Sequence, residues 1–248
     1  MRFSTLPRFA VLLLALFTSL TLFAPLPFAI ILPGSAENIF DKVITIKNQK
    51  SYPASGRLDL MSIRVTNPDS WIIGPEILFS WLRADESVYP RSAIYPDGTT
   101  AESEQKQAKA DMNNSQNDAT IAALSFLRLN PQYGVPAHSL SEKNIHFDVK
   151  RTGGPSGGTV FALGVIELLT KADLLRGRHV AGTGTISTDG KVGAIGGINE
   201  KITAAHKAGA TIFIAPEGNR DEISHVPAGI KIVVVSTLKQ AVAALNSN

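Results

Sequence analysis

The sequence predicts an α/β domain preceded by an apolar N-terminal segment that could enter a membrane. Three observations carry this prediction. Strand-like and helix-like patterns alternate over the second half of the chain, as in layered α/β folds. The composition is 44% apolar and 18% charged over 248 residues, enough for one sizeable core. No charged residue occurs from Phe9 to Ala36, which is long enough for a membrane segment.

The N-terminal stretch has features of both a membrane anchor and a cleaved signal peptide. Two arginines and the α-amine precede it, and Pro25 and Pro27 interrupt it. Phe9 to Phe23 alone suits the apolar region of a signal peptide, and Gly34-Ser35-Ala36 is a passable cleavage site. The apolar run nevertheless continues through "PFAIILPG". We therefore expect an uncleaved signal anchor over residues 1–33, with cleavage and secretion as the alternative.

The charges around this segment predict its orientation. Arginines lie before it, and Glu37 and Asp41 follow it, which places the N-terminus in the cytoplasm and the rest of the chain outside it. Residues 34–55 are polar and rich in turn formers, so we expect a connector with one brief strand from Val43 to Ile46.

Each element beyond the connector is predicted from periodicity or from a turn signal. Alternating apolar residues predict a strand over 58–65, and Pro75 suits the first turn of a helix. Residues 103–130 are helical in composition, and Ser115 to Asp118 resembles a capping box that opens a second helical segment. The remaining elements, in chain order, are strands over 145–151, 179–187, 211–216 and 230–236, and helices after 157, over 195–209 and over 237–246.

Composition excludes several kinds of site. The chain has no cysteine, so disulfides, thiolate metal sites and a cysteine nucleophile are all excluded. The formal charge is +3, but no run of five or more Lys or Arg occurs, so the sequence gives no nucleic-acid footprint. We expect neither a metal nor a cofactor.

The stretch "TGGPSGGTVFALG", residues 152–164, is the first candidate for chemistry. It lacks the lysine of a phosphate-binding loop and the spacing of a dinucleotide fingerprint. Ser156 would sit at the positive end of a helix, where the backbone amides of Gly153, Gly154 and Gly157 could donate to an oxyanion. The same stretch also fits an ordinary turn in which Ser156 caps the helix.

A serine nucleophile needs a base, and the residues alone leave its identity open. The histidines stand in no marked context; they are His138, His146, His179, His206 and His225. Lys201 lies in the first turn of a predicted helix beside apolar Ile198 and Ile202. Burial and the helix dipole there would favour its neutral form, although an ordinary solvated lysine fits the pattern as well.

The two candidates taken together resemble a known family. "GGPSGGT", followed 45 positions later by the lysine of "GGINEK", is similar to the Lon-type serine–lysine peptidases. The resemblance continues through "RHVAGTGTISTDGKVGAIGGINEKITAAHKAGATIFIAP". It implies the Lon proteolytic fold, with a mixed sheet and packed helices. It also implies Ser156 as nucleophile, Lys201 as general base and Thr183 as a supporting hydrogen-bonding residue.

A narrower resemblance covers nearly the whole chain. "PFAIILPG", "SGRLDLMSIRVT" and "MNNSQNDATIAAL" are similar to the membrane-anchored, PDZ-containing Lon-like proteins of Gram-positive bacteria. Residues 130–146 are too few for the PDZ domain of those relatives, so 56–248 is expected to be one Lon-like domain. Gly153 and Gly157 stand where other Lon-type domains have aspartate and alanine.

The resemblance also sets the expected activity. It implies an extracytoplasmic serine endopeptidase that works without ATP on unfolded or flexible polypeptides and self-associates, as a hexamer. The alternative is an inactive Lon-fold scaffold or binding module at the membrane.

Overall fold

The computed structural model describes residues 7–136, 139–149 and 152–247. The chain forms two compact units. The first comprises Met1–Leu32 and Val65–Ala101, and the second comprises Pro33–Arg64 and Glu102–Asn248.

The first unit is a small helix-and-strand assembly. Its helices are α1 (Arg8–Phe23), α2 (Gly74–Trp81) and α3 (Arg91–Ile94). The first part of strand β1 (Phe28–Asn38) pairs antiparallel with β4 (Ser87–Pro90), with Ala29 opposite Tyr89. Pro75 lies in the first turn of α2, as predicted, and the Glu76 carboxylate accepts the Ile73 N–H at 3.1 Å. A small core forms around Ile30, Ile72 and Ile77.

The structure divides the described part of the expected membrane segment over 1–33 between a helix and a strand. Helix α1 ends at Phe23, and β1 begins at Phe28. Ala29, Ile30 and Ile31, which extended the apolar run in the sequence, are buried strand residues. The passable cleavage site at Gly34 to Ala36 also lies inside β1. Within the described ranges, no helix combines the length and the apolar character needed to cross a membrane.

The second unit holds the remaining elements. Its strands are β2 (Ile44–Ile46), β3 (Arg57–Val65), β5 (Ile145–Phe147), β6 (His179–Gly182), β7 (Thr185–Ile186), β8 (Val192–Gly193), β9 (Ile212–Pro216) and β10 (Lys231–Val235). Its helices are α4 (Ala101–Leu129, which starts at the edge of the first unit), α5 (Gly158–Leu169), α6 (Ile198–Lys207) and α7 (Leu238–Ser247). Between α4 and β5 the chain carries the 3₁₀ helices Pro131–Tyr133 and Glu142–Asn144.

The sheet of this unit confirms the predicted α/β class. Strands β3, β6, β9 and β10 lie side by side in that order and are all parallel. The last part of β1 lies beside β3, where a Cβ on Gly34 would come within 2.5 Å of the Ser62 carbonyl oxygen. Only glycine fits such a close approach of two backbones.

Successive side chains along the strands point to opposite faces of the sheet, and both faces are buried. Val180 packs in the core that contains α5 and α7, and Ala181 packs in the core that contains α6. Phe213 joins the α6 core, whereas Ile212 and Ile214 join the α5 core. Helix α5 is buried almost all round, as its sequence predicts.

Three predicted elements differ from the structure. Helix α4 runs without a break through the expected capping box, so Ser115 is a buried mid-helix residue and opens no second helix. The strand expected over 179–187 is split into β6 and β7, with Thr183 and Gly184 between them. The strand expected over 145–151 ends at Phe147, and its last two positions lie outside the described residues.

Candidate active site

The loop that carries Ser156 is attached to helix α4. Ser115 Oγ donates to the carbonyl oxygen of Pro155 at 2.9 Å. The Gly154 N–H donates to the carbonyl oxygen of Ala108 at 2.8 Å. Gly154 has φ +87°, a backbone conformation that glycine adopts without strain. These contacts hold half-buried Ser156 just before the N-terminus of α5.

The bend between β6 and β7 holds the loop from the other side. The carbonyl oxygen of Ser156 accepts the Gly184 N–H at 2.8 Å and the Thr183 hydroxyl at 3.0 Å. The Thr183 N–H donates to Ile214 on β9 at 3.0 Å, which ties the bend to the sheet. Hydrogen bonds from α4 and from the bend between β6 and β7 thus hold the loop on two sides. Ser156 is therefore positioned by the rigid part of the unit.

Lys201 reaches the same point from helix α6. Gly197, with φ +69°, precedes the helix, and its carbonyl oxygen accepts the Lys201 N–H at 3.1 Å. The Lys201 side chain is only 2% exposed. Its Nζ lies 2.9 Å from Ser156 Oγ and 3.2 Å from Thr183 Oγ1. The structure therefore brings together the three side chains that the sequence singled out.

Burial changes the proton affinity of Lys201. Desolvation lowers the pKa of its ammonium group from 10.5 to about 8, and the neighbouring Glu200 carboxylate opposes this change. About one in ten Lys201 side chains is then neutral at pH 7, against fewer than about one in a thousand for an exposed lysine. Neutral Nζ has a lone pair and can accept a proton.

The three glycines expected to form an oxyanion site differ in their roles. The Gly154 amide already donates to Ala108, so the prediction that it donates to an oxyanion is wrong. Gly153 is exposed, and a Cβ there would lie 2.8 Å from the Ala108 side chain. Gly157 is buried, and a Cβ there would lie 2.7 Å from Leu60 Cδ1. Within the described ranges, no backbone carbonyl accepts the N–H of Ser156 or Gly157.

The described histidines do not supply a base for Ser156. His146, His206 and His225 are exposed, and His179 Nε2 lies 2.7 Å from the buried Asp59 carboxylate. His138 lies outside the described residues. In the described part of the chain, Ser156 Oγ is hydrogen bonded to Lys201 and to no histidine. The same part holds no group of three acidic or histidine side chains that could bind a metal.

Sequence reasoning missed the residues that position the loop. Ala108, Ser115 and Gly184 hold it through long-range hydrogen bonds. The sequence pattern predicts only a helix cap at Ser115. A buried serine within a long helix could have indicated a tertiary contact, because serine is a poor helix-interior residue that needs a hydrogen-bond partner.

Comparison with known proteins shows the family of this chain. Residues 100–246, more than half of the chain, match the Lon protease C-terminal proteolytic domain. The chain is 37% identical over 119 residues to the Lon protease of Syntrophus aciditrophicus, an alignment that covers 46% of this chain and 15% of that protein. It is 36% identical over 118 residues to Lon protease 1 of Herpetosiphon aurantiacus, covering 46% of this chain and 14% of that protein.

A third relative aligns over a slightly longer stretch. The Lon protease of Trichlorobacter lovleyi is 35% identical over 132 residues, which is 50% of this chain and 16% of that protein. The chain thus spans only a small part of the length of these relatives. The chain belongs to the family of Lon protease C-terminal proteolytic domains, which are serine endopeptidases.

Proposed function

We propose that this chain cleaves polypeptides with a catalytic dyad of Ser156 and Lys201. One observation carries the proposal. A lysine that is 2% exposed, with its pKa lowered to about 8, lies 2.9 Å from the hydroxyl of a serine at a helix N-terminus. A buried amine within hydrogen-bonding distance of a hydroxyl is the arrangement that activates a serine nucleophile without histidine.

Thr183 orients the lysine for proton transfer. The Thr183 hydroxyl donates its hydrogen to the Ser156 carbonyl oxygen, so its lone pairs are left to accept an N–H from Nζ. A neutral amine has two N–H groups and one lone pair. With one N–H directed at Thr183, the lone pair can face Ser156 Oγ–H, which is the direction that proton removal requires.

The reaction then follows in balanced steps. Nζ takes the Ser156 hydroxyl proton as Oγ attacks the peptide carbonyl carbon. The tetrahedral oxyanion collapses, the C–N bond breaks, and the Lys201 ammonium returns its proton to the leaving amine. Lys201 then removes a proton from water as the water attacks the ester carbonyl. The ammonium returns this proton to Ser156 Oγ as the second tetrahedral intermediate collapses, which releases the acid product and restores neutral Lys201 and free Ser156.

The backbone before helix α5 is suited to stabilise the oxyanion. The N–H groups of Ser156 and Gly157 lie at the positive end of this 12-residue helix. Two such donors aimed at developing charge are the usual oxyanion arrangement. We assign the oxyanion role to these two amides, in place of Gly154.

The expected substrates are unfolded or flexible polypeptide segments, cleaved without nucleotide. This part of the proposal follows the resemblance to the Lon-type peptidases and the lack of a phosphate-binding loop pattern among the 248 residues. The proposal includes self-association, expected to be hexameric, by resemblance to the family. Sedimentation velocity of the purified chain tests it, and a monomer at assay concentrations would contradict it.

The test of the dyad compares four proteins on an unstructured polypeptide without nucleotide. They are the parent, Ser156→Ala, Lys201→Met and, as a matched control, Lys207→Met, which removes an exposed lysine of the same helix. We expect the first two variants to lose about 100-fold or more in kcat/KM, because each removes a group that takes part in proton transfer or attack. We expect the control to retain parental activity. Equal cleavage by all four proteins would refute the dyad, and inactivity of the parent would favour the scaffold alternative.

We also propose that the N-terminal segment attaches the chain to a membrane, with the rest outside the cytoplasm. Two arginines precede an uncharged stretch, and no residue of α1 is buried. Cleavage after Ala36 would remove most of β1, so the retained segment is the form that fits the fold. A C-terminal alkaline phosphatase fusion should be active, and a C-terminal green fluorescent protein fusion should be dark. The opposite pattern would contradict this location.

A further inference from the structure

The first unit exposes large apolar side chains on and beside helix α2. Ile77 and Ser80 of this helix are buried. Leu78, Trp81 and Leu82 lie on the outer face at helical spacing, and they are 58%, 65% and 78% exposed. Phe79 is also exposed, as is Trp71 just before the helix. Contiguous exposed apolar surface of this kind marks an interaction site.

Helix α1 extends the same surface within the first unit. The two helices are in contact, and a Cβ added at Gly74 would lie 3.2 Å from the Thr21 carbonyl oxygen. Leu12, Leu13 and Leu14 follow one another in α1 and are all exposed, so the helix is apolar on every side. A helix that carries no charge beyond its first residue and is apolar all round is suited to hydrocarbon or to a protein core.

We propose that the exposed residues of α1 together with Trp71, Leu78, Phe79, Trp81 and Leu82, here called the α1–α2 surface, dock onto a lipid bilayer. In this arrangement α2 adds a second contact to the membrane, through side chains that lie far from the N-terminal segment in the sequence. This inference rests on the proposed membrane attachment of the N-terminal segment and adds the residues of α2 to it.

The composition of the surface favours lipid over a protein partner. A protein groove that binds an amphipathic helix contacts the apolar face of that helix and leaves its polar face in water. Helix α1 has no charged residue from Phe9 to Phe23 and therefore no such polar face. Both tryptophans of the chain, Trp71 and Trp81, lie on the surface. Tryptophan is enriched where membranes meet water, because its ring is apolar and its N–H is polar.

The same two tryptophans supply the test. The full chain is reconstituted into phosphatidylcholine and phosphatidylglycerol vesicles, with and without bromine on the acyl chains, and tryptophan emission is recorded. Trp71→Phe and Trp81→Phe variants each leave one tryptophan to report. We expect both reporters to shift to shorter wavelength on addition of vesicles and to lose most of their emission with brominated lipid.

A matched control places the reporter elsewhere. With both natural tryptophans replaced by phenylalanine, Val226→Trp puts one tryptophan at an exposed position of the second unit. We expect it to emit as in water with either lipid. Quenching of this control equal to that of Trp71 and Trp81 would overturn the proposal, because the bromine effect would not be specific to the α1–α2 surface.

The remaining outcomes separate the two membrane claims. If the chain sediments with vesicles but Trp71 and Trp81 are not quenched, the docking role of α2 is wrong while membrane attachment stands. If the chain does not sediment with vesicles, both claims fail. A concentration-dependent shift without bromine quenching would assign the surface to a second copy of the chain and would overturn the proposal.

Discussion

The lowered pKa of Lys201 predicts a dependence of stability on pH that can be measured without any substrate. In the folded chain Lys201 loses its proton near pH 8, whereas in the unfolded chain it does so near 10.5. Between these values the unfolded state binds more protons, so the free energy of unfolding rises with pH. The difference between the two pKa values corresponds to about 3 kcal/mol across this window.

The perturbation that isolates this contribution is Lys201→Met, which keeps an unbranched side chain of similar length and removes the titrating group. Urea unfolding of parent and variant is followed by circular dichroism at several pH values from 7 to 11. We expect the stability of the parent relative to the variant to rise by about 3 kcal/mol over that range, most of it between pH 8 and 10.5.

Other titrating groups are present in both proteins, so their contributions cancel in the comparison. If the difference in free energy of unfolding between parent and variant stays constant from pH 7 to 11, the reasoning is refuted, because Lys201 would then have the same pKa in the folded and unfolded states. A difference that falls with pH would mean that the folded state stabilises the ammonium form.

Three further predictions concern the dyad and buried positions of the second unit. Thr183→Val should lower kcat about tenfold through loss of one hydrogen bond to Lys201, and Thr183→Ser should restore it; equal rates for all three would contradict this. Gly157→Ala should destabilise the fold by about 1–3 kcal/mol in thermal unfolding, because its Cβ would lie 2.7 Å from Leu60 Cδ1; an unchanged Tm would refute it. Burial raises the pKa of Glu167 to about 7 from 4.5, so the folded state holds its proton to higher pH. Parental stability relative to Glu167→Gln, from urea unfolding, should therefore fall between those values and level off above them; a flat difference would refute it.

The sequence predicted the reacting side chains of the site better than it predicted the contacts that position them. Ser156 and Lys201 were candidates because each stands at a predicted helix start in an apolar, glycine-rich context, and the resemblance to the Lon-type peptidases implied their roles. Taken alone, each residue also fitted an ordinary role. The 2.9 Å contact between them depends on the parallel alignment of β6 and β9, which no local pattern encodes.

The loop contacts could not be predicted for the same reason. The local pattern predicts a free Gly154 amide, because glycine amides at a helix start often are free, but helix α4 supplies Ala108 as its acceptor. Ser115 resembled a helix cap because the capping pattern is local, while its actual partner, Pro155, lies 40 positions away. In both cases the structure has a tertiary hydrogen bond where the local pattern predicted a free amide or a helix cap.

The structure of the N-terminal run could not be predicted from the sequence, because apolar composition does not specify one structure. A short run of Ala29, Ile30 and Ile31 fits a membrane segment and a buried strand equally well, and periodicity cannot separate them. The β-branched isoleucines and the flanking prolines favoured a strand. In the structure that run pairs with β4 and packs against Ile72.

The most direct test of the dyad is the rate at which a serine-directed fluorophosphonate labels the chain as pH is varied, with the labelled residue identified by mass spectrometry. The dyad predicts labelling at Ser156, a rate that rises about tenfold per pH unit and levels off above pH 8, and loss of labelling in Lys201→Met. Labelling of another residue, a rate independent of pH, or undiminished labelling of the Lys201→Met variant would contradict it.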